Sequence, residues 1–111
     1  MENETKTKSL EKAVSEFESA IKNAKENPLV MYLDDYEHWI AGNIREGRIE
    51  EAKHHANLLL EYYLDQNPFR PEAEAKMEEI KDKIPQLYRM MDAGRKMYHI
   101  GQATKKILEF I

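Results

Sequence analysis

The chain contains no cysteine. That excludes disulfides, thiolate metal sites and cysteine nucleophiles, and it points to a reducing compartment, since small secreted folds lean on disulfides. Long apolar runs are missing too. No stretch approaches the roughly 18 residues that span a bilayer, and Met1–Ser9 is polar, without an apolar signal core. By elimination, a cytoplasmic location without membrane attachment is expected. Glycine and proline are scarce, four of each in 111 residues, and no glycine-rich phosphate loop is present. Ser9, Ser15 and Ser19 share one segment, distant in sequence from every histidine, so no nucleophile constellation arises. These absences argue against an enzyme and call for no cofactor.

A basic excess is also missing. The formal net charge is −4, whereas dedicated nucleic-acid binders usually carry a strong positive charge. The charge is uneven. From Gln86 to Ile111, Arg89, Arg95, Lys96, Lys105 and Lys106 outnumber Asp92 and Glu109, giving +3 and leaving −7 for the remainder. A basic final helix against an acidic body helps the fold pack and offers a surface for an acidic partner. Those basic residues, with Tyr88 and Tyr98, also make nucleic-acid contact an alternative reading.

What is present is helical periodicity. Apolar residues make up 41% of the chain, and their regular spacing marks a folded domain rather than a disordered tract. Leu10, Val14, Phe17, Ile21 and Ala24 predict a helix over 8–25, with Ser9 as its N-cap and residues 1–8 as a flexible lead-in. Asn27-Pro28 ends it and opens a second helix, 28–46, striped by Leu33, Tyr36, Ile40 and Ile44, with Val30 and Trp39 widening the stripe. Gly47 closes that helix and turns the chain back. The third helix, 49–65, carries Ile49, Ala52, Ala56, Leu59 and Tyr63 on one face, with Leu58, Leu60 and Tyr62 flanking it. Asn67-Pro68-Phe69-Arg70-Pro71 is a loop. Pro85 then divides an acidic piece, 71–83, from a long helix, 86–110, striped by Met90, Ala93, Met97, Ile100, Ala103, Ile107 and Ile111. The expectation is one all-α domain spanning 1–111, a four-helix up-and-down bundle with the last helix kinked or split at Pro85.

Two constellations invite function. The first is polar and surrounds the Gly47 hairpin. Asp35 and His38 lie three apart on one helix, Glu51 and His54 three apart on the next, so each pair shares a helix face. Carboxylate-x-x-His pairs on neighbouring helices are how di-iron bundles present ligands to a metal. The run Glu51-Ala-Lys-His-His-Ala-Asn-Leu-Leu-Leu-Glu61 resembles the metal-binding helix of ferritin-like proteins. That resemblance places the family's Glu-x-x-His on Glu51 and His54. The second Glu-x-x-His is missing, so it implies a metal site of Asp35, His38, Glu51 and His54 completed only between two subunits. Against this, Ala52 and Ala56 define the core side. His54 lies about 200° around the helix from them, and Arg45, Arg48 and Lys53 are at hand to pair with the acids. The same hairpin is similar to a tetratricopeptide repeat at Trp39, Gly47, Ala52 and Pro68. It departs from that pattern in the small residues of its first helix, in its late proline and in having no neighbouring repeat.

The second constellation is the last helix. Gly94 and Gly101 each cost roughly 1 kcal/mol relative to alanine inside a helix, which suggests close approach of another helix, a kink or a local ligand. Met91, Tyr98 and Leu108 cannot face the same core as Met90, Met97 and Ile107. This helix is therefore either central or two-sided, with a second contact surface formed by Tyr88, Met91, Arg95, Tyr98, Leu108 and Ile111. The expected function is a small adaptor or regulatory protein that binds a protein partner and self-associates through this helix.

Overall fold

The computed structural model describes the backbone of residues 2–111 and the side chains of residues 8–111. The described residues contain five helices and no strand. Helix α1 is Glu2–Ala24. Helix α2 covers 33–45 and is composite: Leu33–Glu37 is α-helical, His38–Gly42 is a π turn and Asn43–Arg45 is a last α turn. Helix α3 covers 49–65, with Ile49–Leu60 α-helical and Glu61–Asp65 a second π turn. Helix α4 covers 71–80 and starts with the 3₁₀ turn Pro71–Ala73. Helix α5 is Pro85–Leu108.

Two boundaries and the helix count differ from those the sequence predicts. Ser9 lies inside α1, not at its start; of the lead-in expected to be flexible at 1–8, the backbone of 2–8 belongs to α1 and the side chains of 1–7 lie outside the described residues. Helix α2 begins at Leu33 rather than Pro28. The Asn27 side chain accepts the Leu29 N–H at 3.0 Å, and Tyr32 adopts a left-handed φ of 63°, so residues 28–32 turn instead of coiling. The helix count is five rather than four, because of the two alternatives at Pro85 the chain takes the split, leaving α4 and α5 separate. Pro85 has no N–H to donate and occupies the first turn of α5, where none is required, so the long helix starts at Pro85 instead of bending there. Gly47 ends the α2–α3 turn as expected, at φ 80°.

Helix directions follow from side-chain pairings. Arg45 reaches Glu18 at 2.6 Å and Lys25 reaches Asp34 at 2.5 Å, so α1 and α2 run antiparallel. Lys106 lies 3.5 Å from Glu16 while Asn27 meets the start of α5, so α1 and α5 are antiparallel too. Trp39 stacks on His55 and Tyr36 meets Tyr63, which sets α2 against α3. Helices α1, α2, α3 and α5 pack in cyclic order, α4 rests on α5, and the whole measures 52 × 25 × 22 Å.

The core follows the stripes. Phe17, Ile21, Ile40, Ala52, Ala56, Leu59, Ile100 and Ile107 are fully buried, each large one contributing about 1.5–3 kcal/mol of transfer free energy. Thr104 is buried with them, its hydroxyl donating to the Ile100 carbonyl at 2.8 Å. The glycines of α5 permit close approach. A Cβ at Gly101 would lie 2.6 Å from Leu64 Cγ, and one at Gly94 3.3 Å from both Asn67 Oδ1 and Phe69 Cβ.

Two buried asparagines fasten α5. Asn27 and Asn67 each precede a proline and end a helix-to-loop transition. In each, Oδ1 accepts the N–H two residues on: Leu29 at 3.0 Å and Phe69 at 2.9 Å. In each, Nδ2 donates to an α5 carbonyl: Arg89 at 2.9 Å and Gly94 at 2.8 Å. The same Asn-Pro turn is thus used twice, at the ends of α1 and α3.

Candidate functional site

Asp35, His38, Glu51 and His54 are all exposed. Arg48 lies 3.5 Å from Glu51 and also pairs with Glu46, whereas Arg45 turns to Glu18 on α1. His54 points outward and touches only the edge of His55 among the aromatic rings around it. Among the described residues, no three histidine, aspartate or glutamate side chains of one chain converge as metal ligands. A site of the kind the ferritin-like resemblance implies would have to be assembled by two subunits.

The contact residues expected on the last helix are half-buried, every one. Tyr98 packs edge-on against Phe69, ring centroids 5.5 Å apart. Leu108 and Ile111 pack on the core with Phe110. Arg95 donates to Asp92 at 2.6 Å and to the Tyr88 hydroxyl at 3.4 Å. Asp92 also receives Lys96 and the Asn27 amide. Burial works to raise the Asp92 pKa, but the hydrogen bonds from Arg95, Asn27 and Lys96 outweigh it and hold the carboxyl below its ordinary value. The helix is therefore central, and much of its second face is covered by the molecule's own loops.

What α5 does leave open is its beginning. Ile84, Leu87 and Met90 are exposed, Met90 most of all at 64%. Beside them Pro68, Phe69, Ala73, Leu87, Met90 and Met91 line an apolar pocket of about 270 Å³. Met90 thus stands outside the core stripe to which periodicity assigned it, and Met91 turns inward. The first turns of α5 carry apolar residues past the point where α1 and α3 cover them. Leu87 and Met90, three apart after a helix-starting proline, are the signal for this patch.

A second apolar surface lies on the α2–α3 hairpin, where the two π turns sit. Tyr36 meets Trp39 at 5.7 Å and Tyr63 at 5.5 Å, both edge-on. Trp39 stacks flat on His55 at 5.1 Å. The Tyr63 hydroxyl donates to the Met31 carbonyl at 3.4 Å, which brings the 31–32 loop onto the cluster. Burial, then the neighbouring Tyr36, pushes the Tyr63 phenol up to about 12; burial, then Tyr62, raises Tyr36. Met31, Tyr32 and Tyr62 are more than half exposed around this cluster, with Trp39 and Leu58 partly so. Periodicity places Trp39 and Tyr62 on the flanks of a core stripe. The extra residue of a π turn rotates the side chains that follow it, and such turns recur at functional sites.

No helix among the described residues is long and apolar enough to cross a membrane. Comparison with protein-family profiles, curated protein sequences and solved structures finds no match to this chain.

Proposed function

We propose that the chain is a small helical protein-interaction module, adaptor or regulatory in role, that self-associates through the beginning of its last helix. The observation carrying this is the exposed Ile84–Leu87–Met90 surface lying against its own apolar pocket. An exposed apolar patch that walls its own pocket can meet the same patch of a second copy: a two-fold axis beside Leu87 and Met90 lets each copy cover the pocket of the other. The charges nearby balance: Glu72, Glu74, Glu78, Glu79 and Asp82 with Arg70, Lys76, Lys81, Lys83 and Arg89. Such a rim pairs with itself without net repulsion.

In this reading α1, α2, α3 and α5 serve as the four members of an up-and-down bundle, with α4 inserted to carry one wall of the pocket. The absence of cysteine supports a cytoplasmic setting. Three of the five basic residues of α5 are engaged internally, Arg95 and Lys96 by Asp92 and Lys106 by Glu16. That favours a protein partner over nucleic acid. Dilution followed by amide NMR tests the proposal. Shifts confined to residues 67–73 and 84–94 support it; shifts elsewhere, or none, sink it.

A further inference from the structure

We propose that the aromatic face of the α2–α3 hairpin docks a basic amphipathic helix from a partner protein. This rests on no part of the self-association reading, since the face is distinct from the start of α5. The face is continuous. The 31–32 loop is tied to Tyr63, Tyr63 meets Tyr36, Tyr36 meets Trp39, and Trp39 stacks on His55. On α3, Leu58 lies three residues after His55 and four before Tyr62, so the three share that side. Its rim residues are unusually open for their type, Tyr32 at 66%, Met31 at 62% and Tyr62 at 52%. Aromatic and methionine side chains are the ones that anchor protein interfaces.

Charge selects the occupant. Residues 31–44 contain Asp34, Asp35 and Glu37 and no lysine or arginine; residues 54–69 contain Glu61 and Asp65 and again no lysine or arginine. Lys25, just past the end of α1, pairs with Asp34, and its charge and that of Arg45 also reach Glu37, which leaves Asp35, Glu61 and Asp65 without a basic partner on these two segments. Two copies of a face carrying charge of one sign repel, so a second copy of this chain does not fit it by two-fold pairing. A partner with apolar residues along one stripe and lysine or arginine beside them does. The face spans residues 31–39 and 55–63, about nine residues of each segment or two and a half helical turns.

The test uses Met90→Glu protein, so that self-association through α5 does not intervene, and a lysine/leucine amphipathic peptide of about 18 residues, five turns. Trp39 is the only tryptophan, so its emission reports on this face alone. The expected result is saturable binding with a change in Trp39 emission, and none with the glutamate/leucine peptide of the same pattern. Reversing Asp34, Asp35 and Glu37 to lysine weakens binding about tenfold or more, whereas reversing Glu72, Glu74 and Glu78 on α4 changes it less than about twofold. Tyr62→Ser, at an exposed position safe for folding, also weakens binding. The proposal is overturned by no binding, by equal binding of the glutamate peptide, or by equal loss from the α4 reversals, which marks mere polyanion attraction. It is also overturned if Trp39 emission of the Met90→Glu protein changes with its own concentration, since the occupant is then a second copy.

Discussion

Replacing Gly101 with alanine sets two effects of opposite sign against each other. Alanine in a helix interior gains roughly 1 kcal/mol over glycine. The new methyl group, however, would sit 2.6 Å from Leu64 Cγ and 2.7 Å from its Cδ2, about 1 Å inside the usual 3.5–4.0 Å carbon contact. Leu64 cannot yield by swinging a tip, because the nearest atom is its branch point. It must change rotamer or displace the π turn that carries it. Overpacking of this kind costs about 1–3 kcal/mol, so the net expectation is destabilisation by about 1 kcal/mol, lowering Tm by about 4–8 °C in a domain of this size. Urea and thermal unfolding of Gly101→Ala, Leu64→Ala and the double variant measure it as a cycle. In the Leu64→Ala background the clash is gone and only the propensity gain remains, so Gly101→Ala there becomes stabilising. A higher Tm for Gly101→Ala alone, or strictly additive effects, refutes the packing argument.

Asn67→Ala strands the Phe69 N–H and removes bonds to the Tyr63 and Gly94 carbonyls; a loss of about 1–3 kcal/mol is expected for each buried group left unpaired, and wild-type stability contradicts the anchoring role. Asp92 is held below its ordinary value of 3.8 in the fold, so its stabilisation is present above that pH and disappears as pH falls through the depressed value. The Tm gap between wild type and Asp92→Asn is therefore widest near neutrality and narrows below about pH 4; a gap that stays constant with pH contradicts it. Tyr63, raised from 10.0 to about 12, works in the opposite sense: wild type loses stability between those values as the unfolded phenol ionises first, and Tyr63→Phe loses less, as alkaline unfolding curves will show.

Much of this fold is legible in the residues themselves. Ala52, Ala56, Leu59 and Tyr63 recur at helical spacing and are buried, Gly47 turns the hairpin, and Pro85 starts the last helix. Where the pattern misleads, a specific long-range bond outweighs it. Asn27 reads as a cap for a helix beginning at Pro28, yet its amide is drawn to the Arg89 carbonyl, a partner 62 residues away that periodicity cannot reveal. The repeated Asn-Pro pair is the visible trace of that arrangement. The surface was harder. Trp39 and Tyr62 each sit one position, about 100° of rotation, from a buried residue, Ile40 and Tyr63, so stripe counting puts them at the edge of the core, and the packing around the hairpin leaves them open. Met90 and Met91 differ by one position, about 100° of rotation, and only the packing of α4 and the Phe69 loop decides which faces out.

Two copies of this chain are proposed to pair through the start of α5. Sedimentation equilibrium of wild type beside Met90→Glu, over a concentration series reaching the millimolar range, tests it most directly. The expected result is a reversible monomer–dimer equilibrium for wild type, and a monomer of unchanged Tm for Met90→Glu. A wild type that stays monomeric throughout, or a dimer that Met90→Glu leaves intact, contradicts it.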